Sequence, residues 1–221
     1  MIVVHGGPAA AGSAALLARA LSDRFFVVEP WQRGSGGAPL TVQRHVEDLR
    51  ELVSSLRGTA RPAVVGESWG AMLALCFAAA HPHVAGPIAL VGCGTLDEPS
   101  RRAMQATIEA RTDDDLRRRL ERLPRLVADP ADLLVRRLRL LDPVYQYDAL
   151  DSDPRGPEGP GPLDVRAHTE TWDDMLRLQR EGVYPAALAA IDSPVLMLHG
   201  DHDPHPGEMI RRSLEPHLRR L

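Results

Sequence analysis

The residue types with the clearest chemical potential surround Ser68, in Gly66-Glu67-Ser68-Trp69-Gly70. An apolar run (62–65) precedes this stretch and a run of small and apolar residues at helical spacing (71–78) follows it. That order reads as a strand, a tight turn and a helix with a serine at the apex. The glycines flank the serine because side chains there would collide with strand and helix, and the serine must take a strained backbone conformation that holds its hydroxyl out. A G-x-S-x-G pattern alone is common by chance, so the flanking elements carry most of its specificity.

A serine hydroxyl is a poor nucleophile until a histidine takes its proton, and the histidine needs a carboxylate to fix its tautomer. Asp203 lies just past the apolar run 195–198, and the order serine then acid suits such a site. Its plainer use is as an Asp-Pro turn residue, and Asp97 is the reserve acid. Two backbone N–H groups are candidates for an oxyanion hole, Trp69 at the start of its helix and Gly7 in the glycine loop after the first strand. His199, Asp201, His202, Asp203 and His205 invite a metal reading. No further ligand pair accompanies them, so neither a metal nor another cofactor is expected.

The elements that position these residues follow from periodicity. Residues 1–4, 25–28, 63–65, 87–91 and 195–198 read as five buried strands. Between them, 13–21, 41–56 and 71–80 read as helices. Strands that are apolar throughout and alternate with helices imply a parallel sheet covered on both faces. After Gly92-Cys93-Gly94 no strand appears for about a hundred residues, far beyond an ordinary connection. That gap reads as helical, with helices opening at Thr112, over 130–141 and over 170–180, and with a mobile Pro/Gly-rich loop over 151–162. The expected organisation is a core of 1–94 and 185–221 with a helical lid over 95–184, above the sheet edge where sites in such folds lie. Asp113, Asp114 and Asp115 stand four before Arg117, Arg118 and Arg119, which reads as a solvated helix face.

Composition narrows the classes further. A net charge of -4 over 221 residues argues against nucleic acid or an anionic membrane surface as a partner. Two cysteines, no signal peptide and no long apolar span point to a reducing cytoplasm, with Cys76 and Cys93 as small buried apolar residues.

Four segments taken together carry a resemblance: His5-Gly6-Gly7-Pro8, Gln32-Arg33-Gly34-Ser35-Gly36, Gly66-Glu67-Ser68-Trp69-Gly70 and Gly200-Asp201-His202-Asp203. In this order and spacing the chain resembles an α/β-hydrolase of the proline iminopeptidase-like branch. The resemblance covers the sheet portion, whereas the lid matches only in being helical. Trp31 stands where branch members carry an aspartate, which weakens a peptidase reading. The resemblance implies a serine hydrolase acting on a small ester, amide or N-terminal peptide bond, with a small molecule or peptide as substrate. Glu170, Asp173 and Asp174, flanking Trp172, are candidates for meeting a substrate amine; a solvated face is the stronger reading of the same charges. It further implies truncation at both ends, two open sheet edges that allow oligomerisation, and a catalytic histidine beyond Leu221. On that expectation the chain is catalytically weak, or a non-catalytic member of the fold. The competing expectation is a local base in the acid's own loop, His202 or His205, or else His217 beyond the next helix.

Overall fold

The computed structural model describes residues 1–56, 61–148 and 163–221. Its frame is a parallel sheet of four strands, β1 (Ile2–Val4), β2 (Val64–Glu67), β3 (Ile88–Val91) and β4 (Val195–Leu198), lying side by side in chain order. Val3 pairs with Val65, Val65 with Ala89 and Ala89 with Leu196. Eight α-helices accompany the sheet among the described residues: α1 (Ala15–Ser22), α2 (Val42–Ser55), α3 (Trp69–Ala80), α4 (Glu98–Arg111), α5 (Asp114–Leu126), α6 (Pro130–Tyr145), α7 (Val165–Arg180) and α8 (Gly207–Leu214). The proposed mobile loop over 151–162 lies outside the described residues.

Side chains alternate between the two faces of a strand, and the core divides accordingly. Ile2, Val4, Val64, Ile88, Leu90 and Val195 join α2, α3 and α8 in one large cluster. Val3 and Val65 meet α1 in a small one on the other face. In α3 ten successive residues from Trp69 to Ala78 are buried, as a helix apolar on all sides requires.

Two expectations need correction. Residues 25–28 do not form a full strand: they contribute a single bridge, Val28 opposite Ile2, while Phe25 and Phe26 stay exposed. The ladder stops there because Pro30, two residues on, has no N–H to donate. Nor are both faces covered throughout, since Leu196 and Leu198 of β4 remain exposed on the α1 side.

Four helices, α4 to α7, are inserted between β3 and β4. Each begins at an aspartate whose carboxylate accepts an amide of the first turn: Asp97 from Ser100, Asp113 from Leu116, Asp129 from Asp132 and Asp164 from Ala167, at 2.7 to 3.0 Å. Such caps contribute about 1 kcal/mol each. Asp97, the reserve acid of the sequence, is therefore the N-cap of α4 and is spent there. The arginines of α5 pair three residues back, Arg117 with Asp114 and Arg118 with Asp115, on an exposed face. Helix α7 begins at Val165, five residues ahead of expectation, because the cap is Asp164. Among the described residues no helix is long and apolar enough to cross a membrane.

Candidate active site

Ser68 occupies the apex between β2 and α3 with φ 52° and ψ -115°, a left-handed conformation that a side chain rarely adopts. The neighbouring glycines show why the turn tolerates no alternative. A Cβ on Gly66 would lie 2.2 Å from the Gly70 carbonyl oxygen, and one on Gly70 would lie 2.1 Å from the carbonyl oxygen of Val4. Both distances are sub-contact, so glycine is a steric requirement at each position. The Ser68 amide donates to the Val91 carbonyl at 2.9 Å, and the Ser68 carbonyl accepts from Ala71 at 3.1 Å. The backbone is thereby fixed and the side chain is left at the carboxyl edge of the sheet.

Beside the serine a cavity of about 600 Å³ is lined by Glu67, Tyr145, His199, Asp203 and His205, among others. The acid loop thus shares one space with Ser68. Asp203 is held from within its own loop: its Oδ1 accepts both the backbone N–H and the Nδ1–H of His205 at 2.9 Å. Its Oδ2 lies 3.4 Å from His199 Nε2 and 3.3 Å from where a Cβ on Gly92 would sit. Burial opposes ionisation of Asp203, but the hydrogen bonds from His205 outweigh it and hold the carboxyl below its ordinary value. Glu67 is shifted the other way, by burial and then by the charge of Glu29. Burial, then the charge of Asp203, raises the Tyr145 hydroxyl.

The histidines differ in placement. His199 Nε2–H donates to the His205 carbonyl at 3.0 Å. His205 touches the acid, but among the described residues neither it nor His199 is hydrogen-bonded to the Ser68 hydroxyl. His202 stacks on Tyr147 with ring centroids 3.7 Å apart, and His217 follows α8 with its amide on the Leu214 carbonyl. No group of three or more His, Cys, Asp or Glu side chains suited to a metal ion converges among the described residues. Burial pushes the thiols of Cys76 and Cys93 up to about 12, which leaves them inert.

The glycine loop after β1 passes against the serine, since a Cβ on Gly6 would lie 3.5 Å from Ser68 Cβ. Gly7 follows with φ 121°, where a side chain would be strained. The Trp69 amide belongs to the first residue of α3. Both candidate oxyanion donors therefore belong to segments that meet at Ser68.

The four candidates on α7 lie elsewhere. Glu170 accepts the Leu40 amide at 2.9 Å and pairs with Arg166; Asp174 accepts the Val42 amide at 2.8 Å and pairs with Arg177. Trp172 packs edge-on against Trp69 at 6.4 Å, and Asp173 is exposed. These carboxylates fasten α7 to the start of α2. His168 adds a bond to the Pro8 carbonyl at 3.0 Å, and His45, kept neutral by burial with its pKa lowered to about 4, meets Thr171 at 2.9 Å. The contribution of α7 was not legible in sequence because each of these partners lies more than 120 residues away.

The sequence matches the model of the alpha/beta hydrolase family over residues 1–220. No curated protein matches it. Among solved structures, VinJ superposes with a TM-score of 0.64 at 20% identity, covering 99% of this chain and 79% of that one. A structure reported with carboxylesterases of the ammonia-oxidizing thaumarchaeon Nitrososphaera gargenis gives 0.63 at 16% identity, covering 100% and 80%. Proline iminopeptidase from Mycobacterium smegmatis gives 0.60 at 20% identity, covering 99% and 78%. At these identities the likeness is one of fold.

Proposed function

The chain belongs to the α/β-hydrolase family, and from that premise we propose that it is a serine hydrolase cleaving a small ester, amide or N-terminal peptide bond through an acyl-enzyme on Ser68. The observation that carries this reading is the strained Ser68 at the apex of β2 and α3, opening into the same cavity as Asp203. In the proposed reaction Ser68 Oγ attacks the substrate carbonyl carbon and gives up its proton to an imidazole. The charge that develops on the carbonyl oxygen is met by the N–H groups of Gly7 and Trp69. The bond to the leaving group breaks as that group takes the proton, and water then hydrolyses the acyl-serine. Asp203, held ionised, stabilises the imidazolium. No cofactor takes part in this scheme.

Within this reading a small neutral ester is favoured over an amine-anchored peptide. Glu170 and Asp174 already hold backbone amides and arginines, which leaves Asp173 as the one of the three without a hydrogen bond or ion pair among the described residues. The inserted helices, 95–184, are the part of the chain proposed to act as a lid and set substrate choice.

One observation favours a second reading, a chain that is weakly active or inactive: no described imidazole bridges Ser68 and Asp203. The two readings separate in one experiment. Labelling by a fluorophosphonate and turnover of p-nitrophenyl acetate are expected in the wild type and absent in Ser68→Ala; equal labelling of both proteins would sink the serine reading. Added imidazole that raises turnover at least tenfold marks a missing base. Turnover insensitive to imidazole and abolished by His205→Ala assigns the base to the acid's own loop.

A further inference from the structure

Gln32 belongs to no step described so far, yet its side-chain amide joins the two segments that carry the candidate oxyanion donors. Its Nε2 donates to the His5 carbonyl at 2.9 Å, and its Oε1 accepts the indole N–H of Trp69 at 2.9 Å. Its backbone amide donates to His5 Nε2 at 3.1 Å, so the neutral ring carries its proton on Nδ1, which donates to the Gly6 carbonyl at 2.8 Å. The 3.3 Å approach of Gln32 Nε2 to His5 Nδ1 is then a contact between two donors. Burial lowers the His5 pKa and keeps the ring neutral. His5 and Trp69 are both fully buried, so the ring of His5 and the indole N–H have no water as an alternative partner, while Gln32 itself is half-buried.

Two donors stabilise an oxyanion only when both lie within hydrogen-bond distance of one point, so their separation has to be held to a fraction of an ångström. Gly7 is two residues beyond His5, and Trp69 supplies the other N–H from its own backbone. We infer that Gln32 is a positioning residue that fixes this separation, with its carboxamide spanning from the glycine loop to the nucleophile helix. Glutamine suits the task because one planar group presents a donor to the His5 carbonyl and an acceptor to the indole. Leucine, of similar size, offers neither. The inference rests on the serine hydrolase reading, and its test is built to fail separately from it.

The test compares Gln32→Leu with the wild type, using p-nitrophenyl acetate, a trifluoromethyl ketone that adds to Ser68 as an oxyanion-bearing hemiketal, and the matched methyl ketone, which binds largely without that addition. The expected result is a fall in kcat/KM of about 10- to 100-fold, with KM changed less than threefold. The inhibition constant of the trifluoromethyl ketone rises by the same factor and that of the methyl ketone stays within about twofold. Trp69→Phe, which removes the indole donor together with part of the buried ring, shifts the same quantities in the same direction, and carries the test should Gln32→Leu fail to fold. An unchanged kcat/KM, or equal weakening of both ketones, overturns the inference and leaves Gln32 a support of the fold. Absence of any Ser68-dependent turnover or hemiketal in the wild type overturns the serine hydrolase reading, and this inference with it.

Discussion

The nucleophile turn and the acid loop face each other across one cavity and are built on opposite principles. At the turn, position is imposed by exclusion: Gly66 and Gly70 have no room for a Cβ, Ser68 is forced to a positive φ, and the helix behind it is buried from Trp69 to Ala78. The loop from His199 to His205 is held mostly by bonds among near neighbours, with Asp201 and His202 exposed and Asp203 fixed by His205 two residues on; its one long-range tie among the side-chain bonds of the described residues is Arg111 of α4, which donates to the His202 carbonyl at 2.6 Å. A site can therefore have one partner locked into the core of the fold and another adjustable at its surface. Damage to the first should cost the fold, and damage to the second should cost chemistry.

Gly70→Ala is the harshest way to test that contrast. The new methyl would lie 2.1 Å from the Val4 carbonyl oxygen, so strand β1 or helix α3 must move. We expect a loss of at least about 3 kcal/mol in the urea unfolding free energy, or no soluble protein at all. A change below about 1 kcal/mol would show the turn to be less constrained than its geometry states.

Asp203→Asn should separate the two costs. The amide is isosteric and sits in a loop whose preceding residues, Asp201 and His202, are exposed, so the thermal midpoint should move by only a few degrees. Ser68-dependent ester turnover should fall by about 10³- to 10⁴-fold if the carboxylate orients and stabilises the imidazolium. Turnover within a factor of ten of the wild type would remove Asp203 from the proposed site.

The smallest effect concerns the bonds that hold the acid. The Asp203 carboxyl is depressed in the folded protein, so its ionised form contributes stability above the unfolded pKa, near 4, and that contribution is lost as pH falls through the folded value. His205→Ala deletes the Nδ1 donor and should cost about 1 kcal/mol at pH 7. The deficit should shrink as acid protonates Asp203 in both proteins, and His205→Asn, which retains a donor close to the Nδ1 position, should recover part of it. Urea midpoints at pH 7 and pH 3 measure this, and a deficit independent of pH would mean that His205 acts through packing alone.

Much of this arrangement was legible in the residues themselves. Glycine on both sides of Ser68, an apolar strand before it and a small-residue helix after it can be satisfied by one sharp turn, because the constraint is steric and local. Alternation of apolar strands with helices implied a parallel sheet for the same kind of reason. Where the sequence reading overreached, long-range or end effects prevailed. Residues 25–28 have the composition of a strand but pair at only one position, and Asp97, placed like an acid past a strand, is consumed in starting a helix. Glu170 and Asp174 looked like a charged helix face and hold the amides of Leu40 and Val42 instead.

What the sequence determined by itself was therefore the kind of turn at Ser68 and most of the order of strands and helices, since these follow from side-chain volume, glycine placement and hydrophobic period acting over a few residues; the family came from the resemblance of four segments. What only the tertiary structure decided was which polar groups meet: Asp203 with His205 across the cavity from Ser68, Gln32 between His5 and Trp69, and α7 against the start of α2. Hydrogen bonds between segments depend on ångström-scale placement set by the packed core, and no local pattern of residues records where a partner 37 or 132 positions away will come to rest.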